Sequence, residues 1–290
     1  MPCYSPIRLK RYDDRGLPVI VACGKCVGCH LEYSRTWAVR CMHEGQMHDQ
    51  NCMVTLTYRD SELVYGYLGP TLVPKHLQNF MKNLRKKYGP KIKFFGCGEY
   101  GERRHRPHYH ACLFGVDFED KKLDSKNPYT GVENYTSRRL DAIWGHGDCH
   151  LGALTFESAA YVARYVLKKS QSDSGPYSKA AGIQPEFIRM SRRPGIGSSW
   201  LDKYYTDVFP HDSVIVRGVK QKCPKYYRDR YSKMPTWEDE LTNLEKISIL
   251  NNARKKAMDM HFDDNTTKRL NDKEVVKKAQ IRNLKRALDS

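Results

Sequence analysis

Two histidines, a glutamate and two tyrosines stand at spacings that suit chemistry on a phosphodiester. In Pro107-His108-Tyr109-His110-Ala-Cys-Leu-Phe-Gly115 the histidines are two apart, and a β-strand turns side chains two apart to the same face. Neutral imidazoles side by side on a strand suit a divalent metal ion, while Tyr109, Ala111 and Leu113 pack on the opposite face. Glu99 lies on the strand expected to pair with the histidine strand across the basic turn Tyr100–Arg106, so it can supply an oxygen ligand. Together they make a two-histidine, one-carboxylate site with open positions, where Mg²⁺ or Mn²⁺ would polarise a phosphoryl oxygen and orient it for in-line attack. The competing reading pairs Glu99 with Arg103, Arg104 or Arg106 in the turn.

A nucleophile is offered by Tyr161-Val-Ala-Arg-Tyr165-Val-Leu-Lys168-Lys169, because residues four apart share one face of a helix and both phenols can address one phosphate. Free tyrosine ionises near pH ~10 and is a weak nucleophile, so a metal and the cations Arg164, Lys168 and Lys169 must favour the phenolate. The competing reading is an amphipathic helix that buries its aromatic residues.

These residues need a rigid frame, and the surrounding sequence supplies one. Asn51-Cys-Met-Val-Thr-Leu-Thr-Tyr58 alternates like a half-buried strand, with Val54 and Leu56 on one face and Thr55 and Thr57 on the other. Pro74 to Tyr88 carries Leu77, Phe80, Met81 and Leu84 at helical spacing, opened by Pro74 and stopped by Gly89-Pro90. Lys91 to Glu99 and Pro107 to Val116 read as paired strands, Glu157 to Lys169 as a helix, and Leu31 to Met47 as a helix that follows a cysteine-rich head. Strand, helix, two strands, helix predicts an α+β fold with an antiparallel sheet. The expected organisation is a cysteine-rich head and helix over 1–50, a core over 51–170, a basic Tyr/Pro/Gly-rich segment over 171–235 without assignable elements, and a charged helical extension over 236–290, broken near His261–Thr267.

The chain has 290 residues with 50 Lys and Arg against 33 Asp and Glu, a formal charge of +17 that favours a polyanionic partner. Residues 236–290 hold 12 Lys and Arg against 10 Asp and Glu, so nearly all the surplus lies upstream. No apolar run reaches the roughly 20 residues of a membrane span, and the first residues lack a signal peptide's apolar stretch, so a cytoplasmic location and no membrane partner are expected.

Without export, ten cysteines read as thiols or metal ligands and not as disulfides. Cys23-Gly-Lys-Cys26-Val-Gly-Cys29-His30 suits a structural Zn²⁺ with Cys3, His30 or Cys41 as fourth ligand, Cys3 being preferred because it lies outside the expected helix. Cys26-Val-Gly-Cys29-His30 also matches a c-type haem attachment pattern, but haem attachment requires export and no export signal is seen, so haem is not expected. Gly96-Cys-Gly98-Glu-Tyr-Gly101 matches a dinucleotide fingerprint, but no helix opens after it.

Taken together, Met53–Tyr58, His108-Tyr109-His110 and Tyr161–Lys169 resemble, in order, the three motifs of the HUH endonucleases. More closely they resemble the replication initiators of the gokushovirus branch of the Microviridae. Cys-Gly-Lys-Cys-Val-Gly-Cys and the following Tyr-Ser-Arg-Thr-Trp-Ala-Val-Arg are also similar to this branch, and the resemblance covers roughly 1–170. It implies the HUH fold, with a central antiparallel sheet carrying the histidines and the tyrosine helix packed beside it. It also implies nicking of single-stranded DNA at an origin through a 5′-phosphotyrosine, rolling-circle replication, and work alongside the host polymerase and helicase in the infected bacterium. Arg103, Arg104, Arg106 and Arg164 are the candidate DNA contacts. Tyr109 departs from the plainest pattern, where a bulky aliphatic is common, which leaves the ligands intact and bears on the packing behind them.

Two functions of other classes compete with a nickase. One is a non-catalytic single-strand binder with a basic groove and stacked aromatics; the other is a metal phosphodiesterase in which water attacks. A relaxase or transposase is the nearest alternative within the same class.

Overall fold

The computed structural model describes residues 3–12, 16–101, 104–169, 182–209, 211–234, 245–248, 250–252, 255 and 266–282, with backbone only for 164–169 and 282. These fall into two compact units, one drawn from Met1–Thr36 and Leu201–Ser290, the other from Trp37–Trp200. In chain order the elements are β1 (Ile7–Tyr12), β2 (Pro18–Val21), α1 (Val27–Gly45), β3 (Asn51–Leu56), β4 (Tyr65–Gly66), β5 (Gly69–Pro70), α2 (Pro74–Tyr88), β6 (Lys93–Tyr100) and β7 (Pro107–Phe114). There follow β8 (Lys122–Lys126), β9 (Glu133–Thr136), α3 (Arg138–Trp144), β10 (Cys149–Gly152), α4 (Phe156–Lys169), β11 (Phe187–Met190), α5 (Ser198–Val208), β12 (Ser213–Val216), β13 (Val219–Lys222) and α6 (Lys225–Tyr231).

The Trp37–Trp200 unit is α+β. Among the described residues its sheet has seven strands in the order β11-β6-β7-β3-β10-β9-β8, each neighbour antiparallel. Register fixes the two faces, since directly opposed residues project the same way. Tyr109, Ala111 and Leu113 of β7 share a face with Leu56, Val54 and Cys52 of β3. Against that face pack Leu77, Phe80, Met81 and Leu84 of α2 and Leu140, Ile143 and Trp144 of α3. Each large side chain buried there contributes roughly 1.5–3 kcal/mol.

The ends of these helices follow from their sequences. Pro74 occupies the first turn of α2, and Gly89 at φ 109° closes it with its N–H donating to the Arg85 carbonyl. Ser137 caps α3 by accepting from the Leu140 amide at 3.1 Å. Thr155 and Ser158 cap α4 reciprocally: the Thr155 amide donates to the Ser158 hydroxyl at 2.8 Å, and the Ser158 amide donates to the Thr155 hydroxyl at 3.1 Å.

The sheet is wider than the three strands legible in the sequence. β10 inserts beside β3 and carries β9 and β8 beyond it, while β11 comes from the segment left without assigned elements. β8 is exposed at every position, so no alternation marks it, and β10 and β11 have four residues each. The helix expected to follow the cysteines instead begins at Val27, putting Cys29 and His30 in its first turn. Gly96 and Gly98 lie inside β6 and serve packing: a Cβ at Gly98 would meet the Phe187 ring at 2.9 Å, and one at Gly96 the His110 carbonyl at 2.8 Å. In the tail the helix Thr267–Arg282 is present, and His261 lies outside the described residues. Among the described residues no helix is long and apolar enough to cross a membrane.

A buried ionic cluster in this unit carries no signal in the sequence. Glu44 of α1 is fully buried and accepts from Lys93 Nζ at 2.8 Å, His48 Nε2 at 2.9 Å and the Gly197 amide at 2.7 Å. Burial alone would raise its pKa, but these partners outweigh burial and hold it below the ordinary carboxylate value. A group whose folded pKa is depressed stabilises the fold above its unfolded pKa and loses that contribution as pH falls through the folded value. Glu44→Gln should therefore cost about 3 kcal/mol at neutral pH. In urea titrations the gap to wild type should narrow as pH falls below the glutamate range; a gap independent of pH would mean that Glu44 acts by shape alone.

Candidate active site

β7 turns His108 and His110 to the face opposite Tyr109, and the register places Glu99 of β6 directly across from His108. Glu99 Oε1 lies 2.7 Å from His108 Nε2 and 3.0 Å from His110 Nε2, and the three donor groups all lie within 4.8 Å of one another. Glu99 thus faces the histidines. Arg106, one of its candidate partners, is bound to Asp60 and the Tyr58 carbonyl, Arg104 is exposed, and Arg103 lies outside the described residues.

Both rings are oriented from behind. His108 Nδ1 donates to the Arg106 carbonyl at 3.1 Å; a carbonyl only accepts, so Nδ1 carries a proton and Nε2 is the nitrogen turned to the site. His110 Nδ1 meets the Thr55 hydroxyl at 2.9 Å, Thr55 being its register partner on β3. Donation from Nδ1–H to Thr55 would again leave Nε2 for a ligand. Burial keeps His110 below the ordinary imidazole pKa. Burial also opposes charge on His108, but its hydrogen bond to Glu99 wins and raises it. Glu99 would be raised by burial, yet His110 and His108 hold it below the carboxylate range, so it is ionised.

This donor set fits a divalent cation. Two ring nitrogens and a carboxylate converge, and Glu99 Oε2 is buried with no hydrogen-bond partner among the described residues, an acceptor left over for a cation. Beside them stands α4. The Tyr161 ring meets His110 edge to face, centroids 5.2 Å apart at 89°, and Tyr161 is almost fully buried. The side chains of Arg164, Tyr165, Lys168 and Lys169 lie outside the described residues, while their backbone continues α4.

Tyr109 packs beneath the ligands and does more than fill space. Its hydroxyl donates to the Val73 carbonyl at 3.0 Å, accepts from the Val73 amide at 2.9 Å and touches the Tyr58 hydroxyl at 2.7 Å. Val73 caps α2, so this phenol ties the ligand strand to the start of the helix behind it. An aliphatic residue could not make these bonds.

A family model described as replication-associated protein ORF2/G2P matches residues 51–170, a span that takes in Thr55, Glu99, both histidines and both tyrosines. Over 252 residues the chain is 38% identical to the replication-associated protein ORF2 of Spiroplasma virus 4, covering 82% of this chain and 76% of that protein. The chain belongs to the family of phage replication-associated proteins. This replication-associated protein is also 33% identical over 216 residues to replication-associated protein VP4 of Bdellovibrio phage phiMH2K, covering 73% and 67% of the two chains. With replication-associated protein ORF4 of Chlamydia phage 1 it shares 28% identity over 228 residues, 75% and 55% of the chains. No solved structure matches it.

Two residues beside the candidate site of this replication-associated protein carry little sign of that position in the sequence. Thr55 orients His110 from 55 positions away, and only the β3–β7 register brings it there. Glu186 accepts from the Tyr100 amide at 2.9 Å and adds to the charge that raises His108. It precedes β11, whose short apolar run Phe187-Ile188 was the available signal.

Proposed function

We propose that this replication-associated protein is a single-strand nickase of the HUH class, starting and ending rolling-circle replication at a phage origin through a 5′-phosphotyrosine. The observation that carries the reading is the edge-to-face seat of Tyr161 on His110, which puts a candidate nucleophile beside a converging two-histidine, one-carboxylate set.

His108, His110 and Glu99 would hold the cation. A bound Mg²⁺ or Mn²⁺ would supply charge to polarise a non-bridging phosphoryl oxygen. Thr55 and the Arg106 carbonyl keep both Nε2 atoms turned inward, so little reorganisation is needed when a strand arrives. The Tyr161 oxygen attacks the scissile phosphorus: the tyrosine O–P bond forms, the P–O3′ bond breaks, the phenolic proton passes to solvent and the 3′ oxygen leaves as a hydroxyl after gaining a proton. Tyr165, one helical turn on, would perform the second transfer when the origin is regenerated. Lys168 and Lys169, with Arg164, would favour the phenolate, and Arg103, Arg104, Arg106 and Arg164 are proposed as DNA contacts. The freed 3′ hydroxyl would prime the host polymerase in the infected cell, with a helicase opening the duplex ahead.

Incubation with origin-bearing single-stranded DNA and Mn²⁺, followed by denaturation, tests this. A protein–DNA adduct that resists denaturation is the expected result. Cleavage without adduct would make water the nucleophile, and binding without cleavage would leave a single-strand binder; either overturns the proposal.

A further inference from the structure

Four cysteines of the Met1–Thr36 and Leu201–Ser290 unit come together around one point. The Sγ atoms of Cys3, Cys23, Cys26 and Cys29 all lie within 4.8 Å of one another, with Cys23 to Cys29 at 3.9 Å and Cys3 to Cys26 at 4.0 Å. Thiolates about 2.3 Å from a tetrahedral zinc stand about 3.8 Å apart, so these two separations match opposite edges of a ZnS₄ tetrahedron. Neither His30 nor Cys41 belongs to the group; the fourth sulfur in it is that of Cys3.

The backbone is arranged for sulfur as a charged acceptor. The Tyr4 amide donates to Cys26 Sγ at 3.3 Å and the Cys23 amide to Cys3 Sγ at 3.2 Å. The Lys25 and Cys26 amides both donate to Cys23 Sγ, at 3.4 and 3.3 Å. That last pair wraps the Cys23–Cys26 turn around its first sulfur, which needs Gly24 in the left-handed region at φ 74°. Cys26 directly precedes α1, and its carbonyl accepts the His30 amide, so Cys26 and Cys29 sit at the positive end of a 19-residue helix.

The local fold has little else to hold it. Every described residue of β1 is exposed and β2 is only half-buried, so the hairpin before Cys23 lacks a core of its own. Small elements of this kind require a crosslink.

We propose that Cys3, Cys23, Cys26 and Cys29 form a closed structural zinc site that staples the N-terminal hairpin to the start of α1. Binding exchanges four S–H protons for one Zn²⁺, leaving a site of net charge −2 under the amide donors and the helix terminus. With four sulfur ligands it has no open position and no part in catalysis.

The full-length protein, purified under reducing conditions, should contain one zinc per chain by elemental analysis. Cobalt exchanged into it should give the strong visible bands of a tetrahedral ion and a sulfur-to-cobalt charge-transfer band in the near ultraviolet. Cys3→Ser should shift and weaken those bands to a three-sulfur pattern, while His30→Ala and Cys41→Ser leave them unchanged. Iron in place of zinc, disulfides among these four residues, or a four-sulfur cobalt spectrum that survives Cys3→Ser would each overturn the assignment. Should Cys3→Ser fail to fold, wild-type zinc content and the cobalt spectrum still decide, since metal-free protein with an unaltered melting temperature contradicts a staple.

Discussion

Replacing Tyr161 and Tyr165 together with Phe is expected to reduce the covalent adduct with origin single strands below detection, whereas either single change leaves adduct. Phe keeps the ring and with it the edge-to-face contact to His110, so the variant loses a phenolic oxygen and little packing. Circularisation separates the singles from wild type. It needs two successive transesterifications, the second tyrosine cutting while the first still holds a 5′ end, and each single variant has only one acceptor left. Both singles should form adduct yet release almost no closed circles in a gel assay of the displaced strand. If the double variant still forms adduct, the nucleophile lies elsewhere in the chain, and peptide mapping of the adduct would identify it.

The reach of the sequence differs from residue to residue for a physical reason. The pairing of Glu99 with the histidine strand was readable because the turn between their strands is short, so contact and sequence separation are both small. α2 was readable to its ends because Pro74 and Gly89 impose backbone conformations that few other residues share. Thr55 was readable as a strand residue but not as the partner of His110, because strand order is decided by long-range pairing that one strand's alternation does not encode. The Glu44 cluster was invisible on the same grounds: Lys93 and Gly197 lie far along the chain, and an acidic residue late in a helix ordinarily reads as surface. Tyr161 was legible as half of a helical repeat, and the motif resemblance, not the spacing, set it beside the histidines. The cysteine run was legible as a candidate metal site because its spacing is local, and Cys3 was the preferred fourth ligand because it lies outside the helix; the β1–β2 hairpin that carries it to the group was not legible.

His108→Ala and His110→Ala are each expected to abolish nicking and to weaken Mn²⁺ binding by more than the roughly 10- to 100-fold that loss of an outer partner costs. Glu99→Ala should weaken it by about 10- to 100-fold, and Thr55→Val by about 10-fold, since Thr55 only turns the His110 ring. Each histidine also offsets the burial of Glu99, whose pKa is held down by both. A general collapse of the fold would lower the melting temperature of the metal-free protein. Loss of the ligand face should leave that melting temperature within a few degrees, because Tyr109 still ties β7 to α2 through Val73. Metal titration, adduct yield and metal-free melting measured on the same four variants therefore separate a ligand from a structural residue. Nicking that persists after either histidine is replaced would remove the cation from the mechanism and leave the tyrosine helix to be explained without it.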